Sequence, residues 1–126
     1  MKLATYEYQN KLAIGAVVGE EIVPASLDVN LPTDMIGFIT EGETAKAKLQ
    51  TLIDLGTGRI ALADVNLKAP VQNPQKFLAL GLNYGKHIEE TGMEKPTFPT
   101  FFNKQSSCVN GPFDPIHRPK VSEKLD

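Results

Sequence analysis

The sequence predicts an α+β chain: a small N-terminal β-meander with helices, then a separate apolar strand leading into a proline-rich stretch. Three observations carry this. Two runs of strand-forming residues flank a short polar break near the start, an apolar period of four, seven and eight residues follows, and residues 76–82 are apolar on both alternating faces.

The elements follow in order. Residues 3–8 and 12–18 are the strand-forming runs, and Gln9-Asn10-Lys11 between them is a tight turn, so the opening reads as a hairpin. Ile22-Val23 adds a third short strand, which ends at Pro24 because proline donates nothing to a ladder. Ala45, Leu49, Leu52 and Ile53 share one helical face and define a helix over 43–55. Thr40 with Glu43 is read as a capping box at its start, and Gly56 suits the left-handed position after its end. A shorter helical turn over 34–39 takes Thr33 as its cap. Glu41 and Glu43 have the look of a two-carboxylate ligand motif, but acidic groups there also favour a helix N-terminus, and that plain reading is preferred.

Pro70 and Pro74 bracket a polar connector, so the domain boundary is placed there, giving 1–69 and 70–126. Residues 76–82 fit a central strand covered on both sides. Five of the nine prolines lie beyond position 95, so the remainder reads as loop with a short extended piece near 99–104.

Composition narrows the function. At 126 residues, 41% hydrophobic and 22% charged, the chain holds one ordinary domain, or a small domain and part of another, with a core. Thirteen basic and fifteen acidic residues, with the lysines scattered, argue against nucleic acid as a partner. Apolar runs such as Phe77-Leu78-Ala79-Leu80 fall far short of the roughly 20 residues that span a bilayer, and no signal peptide precedes them, so no membrane partner and a cytoplasmic setting are expected. Cys108 stands alone, which excludes an intrachain disulfide and a thiolate zinc site; it is expected to be a small buried hydrophobe.

The strand 76–82 runs into Asn83-Tyr84-Gly85-Lys86-His87-Ile88-Glu89-Glu90. With Asn83 capping a short helix, His87 and Glu90 lie three apart on one face. A carboxylate that accepts a hydrogen bond from one imidazole nitrogen fixes the tautomer and makes the other nitrogen a better base toward water. A solvated surface pair has the same spacing, so spacing alone leaves both readings open. His117 has no ligand spacing to the pair, and no metal site closed within the chain is expected. Lys104, after Phe101-Phe102 and before Gln105-Ser106-Ser107, could hold an oxyanion or carboxylate, or lie as a solvated lysine with its stem on the rings.

From Pro70 onward the sequence resembles the fumarylacetoacetate hydrolase family. The match runs through Pro70-Val71-Gln72-Asn73-Pro74-Gln75-Lys76, Gly81-Leu82-Asn83-Tyr84 with His87 and Glu90, then Gly92, Pro96, Pro99, Phe102 and Lys104. It continues through Ser106-Ser107, Gly111-Pro112, Ile116, Pro119 and Ser122 to Leu125-Asp126, and residues 1–18 are similar to the small N-terminal β domain of many bacterial members.

The resemblance implies that 70–126 is the start of a mixed β-roll catalytic domain, dimeric when intact. Such a domain acts on small 2-oxo or β-diketo acids with magnesium, manganese or calcium. The family's reactions include carbon–carbon hydrolysis and keto–enol isomerisation, with ureidoglycolate cleavage as an alternative. His87 then matches the general base and Glu90 the group that orients it, while Asn83, Tyr84, Lys104, Ser106 and Ser107 match substrate-facing positions. Family members carry their metal ligands in a Glu-x-Glu segment and a later Asp beyond the position of Asp126, so no cofactor and no unaided catalysis are expected of these 126 residues. Leu80 stands where fumarylacetoacetases proper have a carboxylate, which favours the acylpyruvate hydrolase or isomerase branch. The rival from another class is a non-enzymatic β module serving assembly.

Overall fold

The computed structural model of the chain describes residues 1–124. It is α+β, and its contacts divide it into two compact units: Met1–Gln72 with the segment from Asn110 onward, and Asn73–Val109.

In the first unit, β1 (Lys2–Tyr8), β2 (Lys11–Val18) and β3 (Glu21–Pro24) form the expected antiparallel meander. Gln9 and Asn10 both take positive φ, 49° and 61°, the conformation of a two-residue hairpin turn whose twist matches the strands. Pairing of Gly15 with Pro24 brings β2 against β3 so closely that a Cβ at Gly15 would lie 2.5 Å from the Val23 carbonyl oxygen. Two further strands, β4 (Ile60–Ala61) and β5 (Asn66–Lys68), complete a five-stranded sheet of order β4-β3-β2-β1-β5. Neither was legible in the sequence, because two or three residues are too few to show alternation.

Two helices cover one face. The helix α2 (Glu43–Leu55) has the expected bounds, and Gly56 closes it in the left-handed conformation at φ 70°. The shorter α1 (Met35–Glu41) is capped by Asp34, whose carboxylate accepts from the Gly37 N–H at 2.9 Å, and not by Thr33. The expected Thr40–Glu43 capping box is absent. Thr40 lies inside α1 and donates to the Ile36 carbonyl, Glu43 pairs with Lys46 at 3.2 Å, and Gly42, at φ 64°, takes the N-cap position with no side chain to offer. Glu41 pairs with Lys48 at 2.7 Å, so both carboxylates are matched by lysines and the ligand-motif reading has no support.

The core between sheet and helices is built from Ile14, Ala16, Val23, Ala25, Leu31, Met35, Phe38, Ala45 and Leu49. Full burial of a side chain such as Leu49 or Phe38 contributes about 1.5–3 kcal/mol. Arg59 ties the end of α2 to β3, donating to the Glu21 carboxylate at 2.9 Å and to the Ile53 carbonyl at 3.3 Å. Thr5, the one buried polar residue among the described residues, is satisfied by the Pro70 carbonyl at 2.6 Å. Lys68 lies between Glu7 at 3.7 Å and Asp114 at 3.5 Å, a contact that holds the late segment to this unit, with which it groups rather than with 73–109.

The second unit contains β6 (Phe77–Gly81), α3 (Gly85–Thr91) and β7 (Thr100–Lys104), with β6 and β7 paired antiparallel. β6 is the strand read as central. Among the described residues it has one partner strand, and Leu78 and Leu80, on the face opposite Phe77 and Ala79, are exposed. No residue between 73 and 109 is buried.

Candidate active site

The chemistry-bearing stretch begins where β6 ends. Leu82 turns the chain at φ 49°, an uncommon conformation for a branched aliphatic residue. Asn83 follows it, and Tyr84, not Asn83, takes the N-cap position of α3, without a side-chain cap. Gly92, at φ 63°, closes the helix.

His87 and Glu90 both lie on α3 and both are exposed. At about 100° per residue their directions differ by roughly 60°, so the helix presents them on one side. No hydrogen bond or ion pair joins them among the described residues; the polar contact of His87 is its carbonyl, which accepts from the Thr91 hydroxyl at 2.9 Å.

A cleft of about 390 Å³ lies within this unit, lined by the end of β6, Asn83, Gly85 and Ile88, and by the loop Lys95–Pro99. Gly85 and Ile88 mark the side of α3 that faces it, and His87 and Glu90 are on the other side of the helix, more than about 100° away. Of the residues read from the sequence, Asn83 alone lines the cleft. Tyr84 is exposed at the helix start. Lys104 ends β7 with its ammonium 5.8 Å from the centre of the Phe102 ring, the arrangement of a cation resting on an aromatic face. Ser106 and Ser107 form an exposed single turn with Cys108. Cys108 is exposed too, so the expectation of a buried hydrophobe is corrected: its turn follows an edge strand, and nothing packs over it. Sequence reasoning missed Lys95, Thr97 and Phe98 as cleft residues; the signal was the Pro96-x-x-Pro99 bracket that stiffens their loop.

Among the described residues no group of three or more His, Cys, Asp and Glu side chains is placed to hold a metal ion. A hard divalent cation takes about six oxygen ligands, so these residues do not fit one by themselves. Among the described residues no helix is long and apolar enough to cross a membrane.

Residues 76–126 match the fumarylacetoacetate (FAA) hydrolase C-terminal family profile. The mitochondrial oxaloacetate tautomerase of Xenopus laevis is 34% identical over 99 residues, 79% of this chain and 31% of that protein. A fumarylacetoacetate hydrolase domain-containing protein 2 homolog of Dictyostelium discoideum is 32% identical, over 100% of this chain and 43% of its own length. The crystal structure of maleylpyruvate hydrolase from Sphingobium sp. SYK-6, in complex with manganese(II) and pyruvate, superposes with a TM-score of 0.74 at 29% identity, covering 96% of this chain and 43% of that one. The chain thus spans 31–43% of the length of these proteins. Where the motif order, the fold and these sequence matches coincide, they lead to one assignment: the chain belongs to the fumarylacetoacetate hydrolase family.

Proposed function

We propose that this chain is part of a hydrolase or isomerase of small 2-oxo or β-diketo acids, in which His87 is the general base and Glu90 orients it. The observation that carries the reading is their shared side on α3, one helical turn apart, inside the stretch that matches the family. In the reacting arrangement the Glu90 carboxylate accepts from one imidazole N–H, and the other nitrogen takes a proton from water as the water oxygen bonds to the substrate carbonyl carbon; the adjacent carbon–carbon bond then breaks, its electron pair leaves on the departing enolate, and the imidazolium returns the proton to that carbon. In an isomerisation the same nitrogen relays a proton between carbon and oxygen. Bringing the two side chains from their present separation into hydrogen-bond contact needs only side-chain rotation, since both are unencumbered at the surface.

Asn83, Tyr84, Lys104, Ser106 and Ser107 are proposed to face the substrate. Magnesium, manganese or calcium, a homodimer and a cytoplasmic setting belong to the same reading. The described residues supply no ligand set, and no step is assigned to the cation. Support for the substrate class comes from relatives named for oxaloacetate and maleylpyruvate.

The 126 residues alone are expected to show no turnover of oxaloacetate enol or of an acylpyruvate above the buffer rate. In a longer chain that carries this sequence, His87→Ala lowers turnover by about 10²-fold or more, and Glu90→Gln lowers it less. Unchanged turnover in a folded His87→Ala variant removes the base from the scheme. Substantial turnover by the 126 residues alone contradicts the expectation that they are insufficient.

A further inference from the structure

We propose that Asn110 is a self-modification site: the Gly111 nitrogen displaces its side-chain amide, and the conversion frees the late segment from the first unit. Among the asparagines, Asn110 alone is followed by glycine; the others precede leucine, lysine, proline or tyrosine. Glycine leaves the attacking nitrogen unshielded and lets the backbone take the dihedrals that ring closure needs. Asn110 is exposed, and the pair lies outside every helix and strand. Among the described residues the Gly111 N–H has no hydrogen-bond partner that would hold it back. In the reaction Gly111 gives its amide proton to hydroxide, its nitrogen bonds to Asn110 Cγ and the Cγ–Nδ2 bond breaks. Nδ2 takes a proton from water and leaves as ammonia. Water then adds to either carbonyl carbon of the cyclic imide, and ring opening leaves aspartate or, with the backbone running through Cγ, isoaspartate.

The contacts of Asn110 set the consequence. Its Nδ2 donates to the Asp114 carbonyl at 3.1 Å, and the Asp114 carboxylate in turn meets Lys68 at 3.5 Å. A Cβ at Gly111 would overlap the Asp114 carboxylate and lie 3.6 Å from the Leu67 carbonyl oxygen, so the segment fits closely over β5. A carboxylate at position 110 has no proton to donate, faces the carbonyl oxygen it once bonded, and adds negative charge beside Asp114. Isoaspartate also lengthens the backbone where there is little room. Lys68 keeps Glu7 as its partner, and the segment loses its hold. None of the residues proposed for the reaction takes part.

The test is peptide mapping by mass of the 126-residue chain held in mildly alkaline buffer. The mass gain of an amide-to-acid exchange should appear at Asn110 while the other asparagines remain amides, in two separable products of equal mass. It should appear sooner as pH rises, because the attacking nitrogen must lose its proton. Asn110→Gln should abolish it, since glutamine has to close a larger ring. Amide hydrogen exchange at Leu67 and Lys68 should be faster in the converted chain than in the fresh one, with α2 unchanged. An equally aged Asn110→Gln sample should keep the fresh rates. Earlier conversion at another asparagine, or a rate indifferent to pH, overturns the site. Unchanged exchange at Leu67 and Lys68 after conversion, or the same acceleration in aged Asn110→Gln, overturns the release of the segment.

Discussion

Ile14 and Leu80 are both aliphatic residues in antiparallel strands, yet Ile14 is 4% exposed and Leu80 38%. The contrast extends to their units. Residues 1–72 hold every buried side chain of the described chain, with five strands and two helices closing on one core. Residues 73–109 hold the motif that identifies the family, and there Leu78, Phe98, Phe101 and Phe102 remain exposed on a two-stranded sheet. An isolated pair of strands is marginal in water. Stability and the proposed chemistry therefore fall in different parts of the sequence, and Leu78, Phe98, Phe101 and Phe102 are left uncovered by the other residues of their unit.

This contrast can be broken most forcefully in the core. Leu49→Ala should destabilise the first unit by about 2–5 kcal/mol in urea titration, while Leu78→Ala on the exposed face of β6 should change it by under ~0.5 kcal/mol. Comparable losses from the two variants contradict the division. Gly15→Ala is next, because its methyl would press on the Val23 carbonyl; a loss of about 1–3 kcal/mol is expected, and a neutral result shows that β2 and β3 can part cheaply. Asp34→Ala removes the cap of α1 and should cost about 1 kcal/mol, with Asp34→Asn recovering most of it.

The smallest effect is one of pH. Burial raises the Tyr6 phenol above its ordinary value of 10.0. The folded chain therefore favours the neutral ring, and the contribution is complete below the unfolded pKa and is lost as pH rises through the higher folded one. Thermal stability should fall more steeply above about pH 10 in the wild type than in Tyr6→Phe; identical slopes show that the ring is not held neutral by the fold.

The hairpin, α2 and its glycine stop were legible because each rests on local rules: strand formers around a two-residue turn, a helical period, and a left-handed residue. The caps were misplaced by one residue at Asp34 and Tyr84: at α1 the neighbouring Asp34 carboxylate, not Thr33, takes the free N–H, and at α3 the helix starts one residue later with no side chain capping it. β4 and β5 were hidden because they exist by pairing with β3 and β1, which no local pattern records. At the site, the family match and the helical spacing of His87 and Glu90 were legible. The cleft was not, because Lys95–Pro99 reach Asn83 and Ile88 only through the fold of the loop after Gly92.

Residue-resolved amide hydrogen exchange on the 126-residue chain tests the division most directly, because it reads local opening rather than the stability of the whole. The amides of β1, β2, β3 and α2 should exchange only through global opening of the first unit. Those of β6, α3 and β7 should exchange much faster, through openings that leave the core intact. Equal protection across β2 and β6 would show that the family-bearing stretch shares a cooperative core, contrary to the division drawn here.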